Sequence, residues 1–158
     1  LFNAFLRLKG EAQKWIARID DSGYYWIEEY PHDEKPGMTL NGFLSAVFGI
    51  YDYYRVTGDP RGKAVYDMAL TTVKHYLPYY RRENEPSLYC LGHNHRAKEG
   101  YHFLHVQQLD WLYSMTGDDF FKDWRDKFES DGVYVYRTNS LVKAARKVSE
   151  FFERLFSH

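Results

Sequence analysis

An all-α domain with a minor β component, built from antiparallel helical hairpins, is the fold class this sequence predicts. Three observations carry that expectation. Apolar residues recur at helical spacing through most of the chain. The breaks between periodic stretches have the composition of helix ends, and one break occurs twice: Tyr54-Arg-Val-Thr-Gly-Asp59 matches Tyr113-Ser-Met-Thr-Gly-Asp118. Hairpins repeated side by side predict an α/α toroid or an incomplete (α/α) barrel.

Each element can be justified in turn. Phe2, Phe5, Leu6 and Leu8 form a helix-like stripe, and Trp15, Ile16 and Ile19 extend helical character. Asp20-Asp21-Ser22-Gly23 is a turn, after which the aromatic and branched run Tyr24–Ile27 favours an extended segment. Pro31 biases Tyr30 away from helix, and 32–37 reads as a polar loop. Leu40, Phe43, Leu44, Val47, Ile50, Tyr51 and Tyr54 then define a helix from about Thr39 to Thr57.

Gly58 suits the left-handed position after that helix, Asp59 the N-cap of the next, and Pro60 its first turn. The second helix uses Ala64, Val65, Met68, Ala69, Val73 and Leu77, and Pro78 is expected to stop it. Arg81–Pro86 reads as exposed loop, and Leu88–Leu91 as a short extended piece. Tyr101, Leu104, His105, Gln108, Leu109, Leu112 and Tyr113 carry a third helix to Thr116. Phe120, Phe121, Trp124 and Phe128 mark a fourth, with Ser130-Asp131-Gly132 as a turn. A brief strand at 133–136 and an amphipathic helix through Leu141, Ala145, Val148, Phe152 and Leu155 close the chain.

The 158 residues amount to one domain, 1–158, large enough for a real core. The net charge of −1 points to neither a nucleic-acid nor a membrane-surface partner, so attraction for an anion has to be local. The longest apolar run, near Leu44–Tyr51, is interrupted by Gly49 and too short to span a bilayer. Cys90, the single cysteine, excludes a disulfide framework within the chain and reads as a small buried hydrophobe. The start at Leu1-Phe-Asn-Ala-Phe, without Met, predicts a piece of a longer protein.

Chemistry concentrates in Ser87–His105, an irregular stretch holding two tyrosines, four histidines, an arginine and a lysine before it enters a helix. Three readings are open. His93-x-His95 and His102-x-x-His105 have ligand-like spacing for a metal, although no cysteine or acidic cluster completes a site. The histidines can equally be hydrogen-bonding scaffold. The third reading is recognition and turnover of a carboxylated sugar.

That third reading comes with a resemblance. Trp26-Ile-Glu-Glu-Tyr-Pro31, Leu40-Asn-Gly-Phe43 with Gly49-Ile-Tyr-Asp52, Leu88-Tyr89 with His93, and Tyr101-His-x-x-His105 with Gln108-Leu109 resemble, in order, the C-terminal region of D-glucuronyl C5-epimerases. The resemblance implies a helical α/α catalytic domain and epimerisation of glucuronate within a heparan-type polysaccharide, without a cofactor. It implies catalytic roles for Glu29, Tyr30, Tyr89 and Tyr101, and its motifs also take in His93, His102 and His105 as candidate substrate contacts. Arg96 and Asn41 join them as candidates from the residues themselves, Asn41 reading equally as a cap or bond at its helix start. It also implies an anionic polysaccharide partner, a homodimer, and, for animal members, the secretory-pathway lumen. The family arginine beside the His93 position is Gly92 here, which leaves the carboxylate's counter-charge to Arg96, Lys98 or Arg81-Arg82.

The chemistry supports a division of labour. Epimerisation beside a carboxylate needs a proton removed from one face and returned to the other, with a cation offsetting the enolate-like intermediate. A tyrosine base, with a reference pKa near 10, would cost on the order of 4 kcal/mol at pH 7 for ionisation alone. A glutamate avoids that cost. Glu29 on one face and Tyr101 on the other is therefore the expected pair, with Tyr30 and Tyr89 orienting or relaying. A polysaccharide lyase starts with the same proton abstraction, and a non-catalytic glycan-binding domain is the rival from outside enzymology.

Overall fold

The computed structural model describes residues 2–11, 15–31, 35–132 and 140. These residues form a mostly helical assembly with two small antiparallel sheets. After a short 3-10 turn at Phe2–Leu6 come strands β1 (Ala17–Ile19) and β2 (Tyr25–Ile27), then helices α1 (Leu40–Thr57) and α2 (Pro60–Tyr80). Strands β3 (Leu88–Cys90) and β4 (His95–Arg96) lead into α3 (Glu99–Thr116), and a fourth helix, α4, occupies 119–132. The expected strand at 133–136 and the terminal helix lie outside the described residues.

The two expected helix junctions form as the sequence prescribes and are nearly superimposable. Gly58 and Gly117 both take left-handed backbone, with φ 66° in each. Each glycine N–H bonds the carbonyl of the tyrosine four residues back, Tyr54 or Tyr113. The aspartate that follows caps the next helix: Asp59 accepts from the Arg61 N–H at 2.9 Å, and Asp118 from the Phe120 N–H at 3.1 Å. Both pairs of helices fold back antiparallel. Tyr53 lies against Gly62 and Tyr51 against Tyr66 in the first pair; Arg125 bonds Asp110, and Lys122 sits over the Tyr113 ring, in the second.

Three expectations need correction. Trp15, Ile16 and Ile19 do not continue a helix: Ala17–Ile19 pairs with Tyr25–Ile27 in the register Ala17↔Ile27, Arg18↔Trp26, Ile19↔Tyr25. Asp20 is the cause, because its carboxylate accepts from the Ser22 and Tyr24 N–H groups and closes the hairpin. The same carboxylate accepts from Trp26 Nε1 and the Tyr76 hydroxyl. Burial opposes its ionisation, but these four hydrogen bonds outweigh that and hold Asp20 below the usual carboxylate range.

Pro78 does not stop α2, which runs on to Tyr80. One missing N–H near a helix end is tolerated because Leu77 and Tyr80, on either side, are buried and anchor the last turn. Nor is 130–132 a turn; α4 continues through it. Asp131 is buried there and is held by Arg81 through Nε (2.8 Å) and Nη2 (3.1 Å) and by the Asn84 N–H. Arg81 is thereby withdrawn from the loop that the sequence assigned to solvent.

The core lies between β2 and the helices: Trp26, Phe43, Leu44, Val47 and Ile50 meet Val65, Ala69, Val73 and Leu77, and continue into Leu109, Leu112, Phe121 and Phe128. Polar bonds fix the layers. Thr72 Oγ1 donates to the Tyr25 carbonyl at 2.7 Å, and Gln108 Nε2 donates to the Asn41 carbonyl at 3.0 Å, tying α3 to α1.

Candidate active site

The site is built on a strap, 36–39, held between the two small sheets. Glu28 fixes it from below. That glutamate is buried, pairs with Arg18 Nε at 2.7 Å, and accepts from the Met38 N–H at 3.0 Å. The Tyr80 hydroxyl donates to the Met38 carbonyl, which stabilises a positive-φ backbone at Met38. On its other side the strap bridges Thr39 to Cys90 and accepts the Gly92 N–H at the Gly37 carbonyl, 3.0 Å away.

Gly92 is required for that contact. A Cβ there would collide with the Pro36 carbonyl oxygen and lie 2.9 Å from its carbon. Position 92 therefore has no room for a side chain while the strap is in place.

The β3–β4 pairing slips between Leu88 and Cys90, where Leu88↔Arg96 is followed by Cys90↔His95. Tyr89 sits in the slip, and such irregularities re-aim a side chain. It lines two adjoining hollows. One, of about 280 Å³, is bounded by Tyr30, Gly37, Thr39, Tyr89, Cys90, His93 and His95. The other, of about 250 Å³, is bounded by Tyr89, His95, Arg96, Lys98 and Tyr101. The Tyr89 and Tyr101 rings meet edge to face at 5.0 Å between centroids. Together the hollows form one groove divided by Tyr89.

Burial, the Tyr30 hydroxyl beside it and the Glu29 charge hold Tyr89 well above the ordinary phenol range. Tyr89 consequently keeps its proton at neutral pH and is suited to donating a hydrogen bond rather than to moving a proton. Glu29 itself is exposed, in contrast to buried Glu28 one residue earlier. Tyr30 and Tyr101 are each about half exposed, at 48% and 42%.

The candidate cations differ in commitment. Arg96 pairs with Glu85 at 2.9 Å, Arg81 with Asp131, and Arg82 bonds Asn94. Neither Arg81 nor Arg82 lines either hollow. Lys98 lies on the groove wall beside Tyr101 and forms no ion pair among the described residues.

Tyr30, Tyr89, Tyr101, His93 and Arg96 are thus brought together on the groove, Glu29 lines neither hollow but lies close enough for its charge to act on Tyr89, and His102 and His105 are not at the groove. Both are buried beneath the groove. His102 Nδ1 accepts the Ser87 N–H at 3.0 Å, and its Nε2 donates to the Phe128 carbonyl at 2.9 Å, which fixes a neutral tautomer. His105 Nδ1 meets Ser87 Oγ at 2.8 Å. Burial lowers both, and the neighbouring His102 helps bring His105 down to about 3. They are neutral clasps joining β3, α3 and α4, not charges presented to a substrate. Asn41 likewise lines neither hollow; its carbonyl holds Gln108, and its Oδ1 is buried.

His95, which the sequence offered as a metal ligand or as scaffold, lines both hollows. The signal was there in the His93-Asn-His95 run, but strand pairing with Cys90 had to aim it. Among the described residues no three His, Cys, Asp or Glu side chains converge as metal ligands, and no helix is long and apolar enough to cross a membrane.

Comparison with known proteins decides the family. The D-glucuronyl C5-epimerase C-terminus family matches residues 5–130. The chain belongs to that family. An uncharacterized protein of Methanocaldococcus jannaschii is 36% identical over 110 residues, covering 67% of this chain and 35% of the relative. The D-glucuronyl C5-epimerase of Caenorhabditis elegans is 28% identical over 125 residues, covering 67% of this chain and 20% of the relative. The aligned region therefore spans about a third or less of these relatives' length.

Proposed function

We propose that the groove binds a glucuronate unit of an anionic polysaccharide and inverts its C5 centre by proton removal and return. The observation that supports this most is the convergence of Tyr30, Tyr89 and Tyr101 on one groove with Arg96 and Lys98 on its wall, and with the Glu29 charge close enough to act on Tyr89. In this reading the Glu29 carboxylate takes the C5 proton. The C–H electron pair passes into the sugar carboxylate as an enediolate, whose charge Lys98 and Arg96 offset. The Tyr101 hydroxyl then protonates C5 from the opposite face, and its phenolate regains a proton from solvent. Glu29 returns its proton to solvent, so no electrons are gained or lost overall. Tyr89, held protonated, orients the substrate by donating a hydrogen bond. The two antiparallel hairpins are read as part of an α/α toroid or incomplete barrel, with the groove at one end.

The test is incubation with a glucuronate polymer in deuterated water. Deuterium at C5, with iduronate in the product, is expected. Absence of exchange would overturn the reading, and new absorbance from an unsaturated uronate would replace it with elimination.

A further inference from the structure

The first turn of α1 carries glycine at position 42, where a helix gains stability from almost any other residue. A Cβ on Gly42 would run into Glu29 Oε2 and lie 3.0 Å from Cδ and 3.1 Å from Cβ of the same side chain. The Glu29 side chain therefore rests along the α1 backbone, in space that only glycine leaves open. Gly49, in the same helix, has nothing within 4 Å of the equivalent point. The close fit is local to Gly42.

The main chain leading to Glu29 is fixed independently. Glu28 is locked by Arg18 and Met38, and its N–H bonds the Ile16 carbonyl at 2.8 Å. With the backbone held, the surface of α1 decides where the carboxylate goes. The next residue, Tyr30, lines the groove, and the Glu29 charge acts on Tyr89. The opening turn of α1 also presents its partial positive end to that carboxylate, and Thr39, at the N-cap, makes no side-chain cap of its own.

We propose that Gly42 is a positioning residue: its missing side chain seats the Glu29 carboxylate against α1 and aims it toward the groove. The inference rests on the reading of Glu29 as the base, and goes beyond it by assigning what fixes that base in place. Ala at 42 pushes the Glu29 carboxylate to another rotamer, and the 3.1 Å approach to Glu29 Cβ is relieved by a shift of a few tenths of an ångström, so the helix does not unfold. The reacting atoms then lose alignment while the groove walls stay as they were, so turnover suffers more than binding.

The experiment compares G42A, G49A, E29A and the G42A/E29A pair by C5 deuterium exchange and thermal midpoint. G42A is expected to lower kcat at least tenfold with KM within twofold and no loss of midpoint. G49A should keep wild-type kcat, and G42A should add no further loss in the E29A background. Wild-type kcat in G42A would overturn the proposal, as would an equal further loss without Glu29. Absence of exchange in the wild type would instead overturn the catalytic reading. The stability cycle still decides the contact in that case: G42A must raise the midpoint more without Glu29 than with it, and equal gains would overturn it.

Discussion

Glu28 and Glu29 are neighbours of identical chemistry that face opposite sides of one strand end. Glu28 points inward, is buried, and spends both oxygens on Arg18 and Met38. Glu29 points outward and lies over Gly42, next to Tyr30 of the groove. The stretch Ser87–His105 divides in the same way. Ser87, His102 and His105 form a buried, neutral cluster, whereas Tyr89, His93, His95 and Tyr101 line the groove. The lesson is that residue type alone does not separate scaffold from chemistry at this site. The inward set is identified by burial and by the bonds of Ser87 to both histidines, with His105 Nε2 buried and unpartnered, and the outward set by its place on the groove wall.

The contrast can be broken most forcefully at the two glutamates. E28A leaves Arg18 buried without its partner and frees the Met38 N–H, and should cost about 3–5 kcal/mol in a denaturant titration. E29A in the same titration should move stability by less than about 0.5 kcal/mol, since an exposed side chain away from the core carries little. Comparable losses in the two variants would erase the distinction.

Next in size is activity. Y101F should reduce C5 exchange by roughly a hundredfold or more, about 3 kcal/mol of barrier, while the circular dichroism spectrum and midpoint stay unchanged. Retained exchange would return Tyr101 to a packing role.

The buried histidines give a pH signature of their own. Their folded pKa values lie below the unfolded reference of 6.5, so below that pH the unfolded state binds more protons than the native one. Stability is therefore complete above about pH 6.5 and falls as pH drops from there toward about 3. The slope is about 1.4 kcal/mol per pH unit for each histidine that titrates only in the unfolded chain. H105F, which removes one such group, should flatten that slope in acid unfolding curves.

The smallest effects belong to the repeated junctions. G58A and G117A each force a side chain into left-handed backbone and should cost about 1 kcal/mol, nearly equally, by thermal denaturation. A large inequality would mean that the two turns are held by their surroundings rather than by their shared sequence.

Much of the fold was legible because its signals are local. Helix period, Gly58 and Gly117 after helices, and Asp59 and Asp118 as caps each act within a few residues. The expectations that failed depended on distant partners. Ala17–Ile19 became a strand because Asp20 closes a hairpin that Trp26 and Tyr76 then brace. Asp131 continues a helix because Arg81, fifty residues earlier, neutralises it. Among candidate site residues, Glu29, Tyr30, Tyr89 and Tyr101 were nameable by motif, but His102 and His105 share those motifs and lie in the core.

The sequence by itself therefore determined the helical class, the two matched junctions and a short roster of residues able to move protons. Tertiary structure decided which of those residues share a groove, because burial and partner satisfaction are properties of packing across the chain. It also decided that Gly92 is filled by the strap and that Gly42 is filled by Glu29. Both facts depend on space between segments, and a glycine in a sequence does not say what will occupy the space it leaves.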